Sequence, residues 1–193
     1  MQTDPLLCAL FLIVSFTAAG LVHSAWLRAP ISERLSIPLD GGVRLRGRRV
    51  FGDNKTVRGF AVMVPAAALA FAGLSAAARL APNTAAGLWP LSPLRFAALG
   101  AWAGLGFMLG ELPNSFLKRQ LDVPPGAAPR GPIAAATGFL IDRLDSILGM
   151  LAAVSLAVPT PWATWAWVLL LGPAVHWAFS VLLYKLGVKA RPA

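Results

Sequence analysis

Apolar stretches and polar interruptions alternate along this chain on a scale far longer than the turn of a soluble amphipathic helix or the two-residue repeat of a strand. Five stretches, approximately 6–26, 59–80, 94–110, 138–158 and 162–184, stay predominantly apolar throughout. Each is long enough to cross a hydrocarbon core of ~30 Å, which takes about 17–25 residues of helix. Backbone groups in lipid have to pair within their own segment, so each stretch is predicted to be helical. The expectation is an all-α, polytopic protein with five transmembrane helices in one membrane domain spanning residues 1–193. Asp142, Arg143 and Asp145 interrupt the fourth stretch. The fifth carries Trp162, Trp165 and Trp167 at one end and Trp177 and Tyr184 towards the other, as interfacial aromatic belts do. Ala66, Ala67, Ala68, Ala70 and Gly73 predict close helix packing by the second stretch. Only Met-Gln-Thr-Asp precedes the first stretch, with no basic region, so it is read as a retained helix and not as a leader cleaved near His23-Ser24-Ala25. No internal repeat is visible.

Composition agrees with a membrane solvent: 57% of the 193 residues are hydrophobic and 13% charged. The net charge of +9 does not indicate nucleic acid. The basic residues sit in short connections between apolar runs, where anionic lipid headgroups and phosphates are the nearer partners. Their distribution orients the chain. The 27–58 connection holds Arg28, Arg34, Arg44, Arg46, Arg48, Arg49, Lys55 and Arg58; the 111–137 connection holds Lys118, Arg119 and Arg130; the tail holds Lys185, Lys189 and Arg191. The 81–93 and 159–161 connections hold none, so the N-terminus is expected outside and the C-terminus in the cytoplasm. Both long connections then face the cytoplasm from a cytoplasmic or inner membrane. Cys8, the sole cysteine, lies in an apolar run and excludes an intrachain disulfide.

Charge inside apolar spans is costly, which makes ionisable groups there candidates for function. Asp142 and Asp145, at i and i+3, share one helix face and suit joint binding of a divalent cation within two turns of the cytoplasmic surface; a structural Asp–Arg pair with Arg143 is the alternative. Glu111 ends the third span at a similar depth. Pro113 is expected to break the helix there, leaving Ser115, Lys118 and Arg119 on a short interfacial helix, with Lys118 and Arg119 as phosphate ligands or as topology anchors. With a broken helix, local pairing would not satisfy Glu111, which favours a bound cation. In the third block, from Gly41 to Gly59, glycines would let backbone N–H groups approach a phosphate, and Asp53, Asn54 and Lys55 add polar groups that a topology signal does not need. It is not a P-loop, because the required spacing is missing. His23 and His176 read as hydrogen-bonding residues between helices.

Three carboxylates, many cations and mobile glycines at one membrane face suit Mg²⁺ held together with substrate phosphates, in a reaction joining a soluble nucleotide to a phosphorylated lipid. No Ser/His/Asp or Cys/His set is apparent. A phosphate monoester, with a second pKa of about 6, needs no general base at neutral pH.

Phe51-Gly52-Asp53-Asn54-Lys55-Thr56 with Arg58-Gly59, Gly110-Glu111-Leu112 with Ser115 and Lys118-Arg119, and Asp142-Arg143-Leu144-Asp145 followed by Gly149 together resemble the CDP-archaeol synthase family, short relatives of phosphatidate cytidylyltransferase. The likeness spans about residues 40–150. It implies that CTP and a phosphatidic-acid-like lipid give CDP-lipid and pyrophosphate with Mg²⁺, a second cation being an open alternative. It makes Asp142 and Asp145 metal ligands with Glu111, Lys118 a catalytic residue, and Asp53, Asn54, Lys55, Arg58, Ser115, Arg119 and Arg143 substrate-binding residues. A homodimer is compatible with it. Glu111 stands where the family usually has aspartate. The Lys-Asp-x-Gly and His-Gly-Gly pieces of the larger enzymes are absent. Pro124-Pro125-Gly126 resembles the short branch and Asp142-Arg143-Leu144-Asp145 the diacyl branch, so the lipid tail stays open. No CDP-alcohol phosphotransferase run, Asp-x-x-Asp-Gly-x-x-Ala-Arg, is present. The alternative is a non-enzymatic or drifted membrane protein, a small transporter or phospholipid-binding protein, using the same buried charges.

Overall fold

The computed structural model describes residues 3–124, 127 and 131–187. Pro125, Gly126, Arg130, Lys189 and Arg191 lie outside the described residues. Helix α1 (Pro5–Arg28) is followed by a 3-10 turn (Pro30–Leu35) and a two-stranded hairpin, β1 (Arg44–Leu45) and β2 (Arg48–Arg49). Then come α2 (Val57–Ala78), the short α3 (Pro82–Gly87), α4 (Pro93–Gln120), α5 (Pro132–Ala157) and α6 (Trp162–Lys185). Local chemistry sets several starts. The Asp4 carboxylate accepts from the N–H groups of Leu6 and Leu7, both at 2.9 Å, ahead of Pro5 in the first turn. Ser92 accepts from Arg95 N–H at 3.3 Å ahead of Pro93. A proline at the first helical position gives up only an N–H that would have no partner there.

Helices α1, α2, α4 and α6 are long and apolar enough to cross a membrane. Helix α5, with 26 residues, has the length but carries Asp142, Arg143 and Asp145. Leu69, Leu156 and Leu170 turn outward on α2, α5 and α6, as suits a protein whose surroundings are acyl chains. Inside, Cys8, Phe11 and Leu12 of α1 pack with Phe71, Phe96, Leu99, Leu151 and Val154. The Phe11 ring meets those of Phe71 and Phe96 at 5.1 Å each. Trp89 belongs to the same cluster, and its indole donates to the Pro159 carbonyl at 2.9 Å, tying the two uncharged connections together.

Two boundaries correct the sequence reading. Helix α4 does not break at Pro113 but runs through it to Gln120. A proline inside a helix costs about 3 kcal/mol, and here every turn beyond it is held from outside. Asn114 and Lys118 bond to α5, and Gln120 bonds to the hairpin. Helix α5 begins at Pro132, six residues before the predicted edge. Asp142 and Asp145 therefore lie roughly 15–20 Å along the helix, at 1.5 Å per residue.

Candidate active site

The site exists because α4 and α5 approach each other backbone to backbone. A Cβ on Gly110 would overlap the Asp145 carbonyl, and one on Gly149 would overlap the Gly106 carbonyl and meet the Gly110 Cα at 2.7 Å. Glycine spaced by four along α4 gives such an approach, as in small-residue membrane interfaces. The crossing sets Glu111, next to Gly110, beside Asp145 and Ser146, one turn from Gly149. On the other side α4 packs on α2, where Gly100 and Gly104 lie against Ala67 and Met63.

From this crossing a continuous chain of polar contacts runs through three elements. Lys55, just before α2, pairs with Glu111. The Ser146 hydroxyl reaches Glu111 Oε1 at 2.9 Å and Asp145 Oδ1 at 3.2 Å. The Asn114 amide donates to Asp145 Oδ2 at 2.8 Å and to Asp142 Oδ1 at 2.6 Å, and Lys118 pairs with Asp142. All three predicted carboxylates and both predicted lysines are brought together. The sequence reading weighed only Lys118 and Arg119 as partners for Glu111; an ammonium from a distant loop pairs with it instead. That pairing was out of reach because it depends on a contact across 56 positions. Asn114 and Ser146, which join the carboxylates, were missed. The only signal for them was their place inside the two motifs, between residues already singled out.

The 27–58 connection is organised by a residue the sequence reading overlooked. The Asp40 side chain, 1% exposed, accepts from the N–H groups of Gly42 at 3.1 Å, Phe51 at 2.9 Å and Gly52 at 3.0 Å. It also takes a fork from Arg49, with Nη2 at 2.6 Å and Nε at 3.2 Å. The Arg49 guanidinium first, then these N–H groups, outweigh burial and hold the Asp40 carboxyl far below the usual range, while Asp40 raises Arg49 in turn. Backbone N–H groups expected to face a phosphate are therefore occupied by a carboxylate. Arg46 and Gly47, at φ of 52° and 79°, make the tight hairpin turn. Arg48 pairs with Asp122, and Gln120 donates to the Arg49 carbonyl at 3.3 Å, so the hairpin docks on the end of α4. Burial lowers the Lys55 pKa, but the Glu111 charge, with Asp145 and Asp142 behind it, overrides this and raises it.

The remaining predicted residues are arranged less simply. Asp53 is exposed and pairs with Arg49 at 2.8 Å, Arg58 pairs with Glu33 at 2.6 Å, and Asn54 is exposed. Ser115 is buried in α4 and makes none of the network's hydrogen bonds. Arg143 does not bridge the aspartates. It is buried, donates to the Phe139 carbonyl at 2.7 Å and lies 3.2 Å from the centre of the Phe139 ring, and its Nε and Nη2 have no hydrogen-bond partner among the described residues. Arg119 likewise keeps Nε and Nη1 buried and without partners there. Buried guanidinium donors without a partner are costly.

Among the described residues, no three carboxylate, thiolate or imidazole groups stand close enough to hold a metal ion as they are placed. The donor set nevertheless fits a hard cation: Glu111, Asp142 and Asp145 offer carboxylate oxygens and Ser146 a hydroxyl, the ligands that Mg²⁺ accepts. Two ammonium groups occupy two of those carboxylates. The network carries three negative charges against two positive ones. It can accept further positive charge, and its lysines can turn to phosphate.

A family model described as CarS-like, CDP-archaeol synthase, matches residues 35–192. The CDP-archaeol synthase of Halobacterium salinarum is 36% identical over 167 residues, covering 80% of this chain and 82% of its own. That of Halorubrum lacusprofundi is 36% identical over 163 residues, covering 80% and 83%. That of Pyrococcus horikoshii is 32% identical over 167 residues, covering 80% and 82%. A solved structure of an intramembrane enzyme for archaeal membrane lipids biosynthesis aligns over 91% of this chain and 92% of its own, at 24% identity and a TM-score of 0.49.

Proposed function

This chain belongs to the CDP-archaeol synthase family of CTP-dependent cytidylyltransferases, and we propose that it joins CTP to a phosphorylated membrane lipid at the α4–α5 network, giving CDP-lipid and pyrophosphate. The observation that carries the assignment is the unbroken chain Lys55–Glu111–Ser146–Asp145–Asn114–Asp142–Lys118, which gathers the residues of all three motifs. Helix α5 completes a fifth crossing: its charges meet α4 while Ile141, Leu148 and Leu156 are exposed. The positive-inside distribution supports a cytoplasmic site, where CTP is supplied and the lipid arrives from the leaflet.

In the reaction a lipid phosphate oxygen attacks the α-phosphorus of CTP. The new P–O bond forms as the bond to the bridging oxygen breaks, and pyrophosphate leaves with that electron pair. At neutral pH the attacking phosphate is largely a dianion, so the protein's work is positioning and charge neutralisation. Lys55 and Lys118 shield the carboxylates until the triphosphate arrives, and their donors then serve phosphate oxygens. Arg119 and Arg143 would supply guanidinium donors that have no partner among the described residues. Glu111, Asp142 and Asp145 would hold Mg²⁺, which when bound offsets the charge on the phosphates.

The test is pyrophosphate release by purified protein with Mg²⁺, CTP and a panel of ether-linked isoprenoid and diacyl lipid phosphates. Release should need both CTP and lipid. Asp145→Asn, which keeps the volume and removes one charge, should extract at near wild-type yield and turn over at least ~100-fold more slowly, roughly 3 kcal/mol of barrier. A folded, fully active Asp145→Asn protein would refute the assignment.

A further inference from the structure

We infer that Asp40 is a positioning residue for the reaction: it sets Lys55 over Glu111 by clamping both backbone anchors of Lys55. This rests on the reading of Lys55 as a site residue. The Lys55 carbonyl accepts from Leu39 N–H at 2.8 Å, and Leu39 is joined to Asp40 by a peptide bond. The Lys55 N–H donates to the Gly52 carbonyl at 3.3 Å, and the Gly52 N–H donates to Asp40 Oδ2 at 3.0 Å. A closed ring thus runs from Asp40 through Leu39, Lys55 and Gly52 back to Asp40. The bridge between Pro38 and Thr56, with Val57 N–H donating to the Ile37 carbonyl at 2.9 Å, extends the pairing to the first turn of α2.

The chemistry of the clamp is specific to a carboxylate. Three N–H groups and two guanidinium nitrogens converge on its two oxygens. An amide of the same shape would present N–H groups to some of these donors and lose the charge that strengthens the rest. Gly52 has φ of 84°, a conformation that favours glycine, so a residue with a side chain would strain the turn that Asp40 bonds. Lysine has four rotatable bonds and a mobile ammonium. Fixing its backbone confines that ammonium to one carboxylate among three.

Asp40→Asn should slow turnover by about ten-fold or more in kcat, because a displaced Lys55 reaches the reacting phosphates poorly. Lys55→Met alone should be slower still. The deciding measurement is the double variant. If Asp40 acts through Lys55, Asp40→Asn adds less than about two-fold once Lys55 is methionine, whereas an unrelated role would multiply the two losses. Arg49→Gln, which leaves the backbone bonds to Asp40 in place, serves if Asp40→Asn folds poorly and should show the same non-additivity with Lys55→Met. Wild-type kcat in folded Asp40→Asn or Arg49→Gln would overturn the inference. So would multiplicative losses in the double variants. Loss of activity in Asp40→Asn with Lys55→Met fully active would instead remove Lys55 from the site.

Discussion

Glu111 shows how a single side chain depends on partners far along the chain. Its carboxylate is held by Lys55 and by the Ser146 hydroxyl at 2.9 Å. Glu111→Gln keeps the shape but leaves the Lys55 ammonium without its counter-charge in a part-buried site, a change that costs about 1–3 kcal/mol here, less than the 3–5 of a fully buried pair. The variant should lose turnover and melt several degrees lower in detergent. Adding Lys55→Met should restore most of the melting temperature and none of the activity; a double variant that stays as unstable as the single would show that the pair does not carry this stability. Asp40 and Lys55 set a pH window. The Asp40 carboxyl is lowered, so its contribution is complete above its unfolded pKa of about 3.9 and is lost only as pH falls through the lower folded value. The Lys55 ammonium is raised, so its contribution is complete below about 10.4 and is lost as pH rises through the higher folded value. Hydrogen-exchange protection of residues 39–55, corrected for intrinsic rate, should therefore stay flat from about pH 5 to 9. A step near pH 6–7 would contradict this.

At the scale of elements, the α4–α5 crossing is the part most sensitive to size. Gly106 and Gly110 face Gly149 with no room for a Cβ, and the Trp102 indole locks the same pair further along by donating to the Ala153 carbonyl at 2.7 Å. Gly149→Ala pushes backbone against backbone, which side-chain rotation cannot relieve. It should destabilise the protein by about 1–3 kcal/mol, the usual range for overpacking, and cut turnover by separating Glu111 from Asp145. Gly73, expected from the sequence to pack closely, is exposed with nothing within 4 Å of its Cβ position and is the control: Gly73→Ala should leave melting temperature and activity close to wild type. Equal effects of the two substitutions would refute the close-crossing account.

For the whole molecule, the distribution of basic residues predicts an orientation that labelling can test. With a cytoplasmic site, a cysteine at the exposed position Leu45 should be unreactive to an impermeant maleimide added to intact cells, and one at the exposed Ala86 should react. Cys8 is fully buried and should give little background. Labelling at 45 with protection at 86 would invert the topology and put the network on the other face.

The chain's own pattern was enough for the all-α membrane class, the approximate ends of α1, α2 and α6, and the three motifs that meet in the site. Hydrocarbon solvent makes backbone pairing within each span compulsory, so length and apolarity carry that information locally. What tertiary structure alone decided is how the charges are shared. Helix α4 continues past Pro113 because contacts from α5 and the hairpin hold its last turns. Asp40, which reads along the chain as an ordinary turn residue, becomes the buried centre of a loop. Lys55 finds Glu111, Lys118 finds Asp142, and Arg143 packs on Phe139. Several cations compete for few carboxylates in a low-dielectric interior, and the pairing depends on distances of a few ångströms between segments tens of residues apart, which no local pattern encodes.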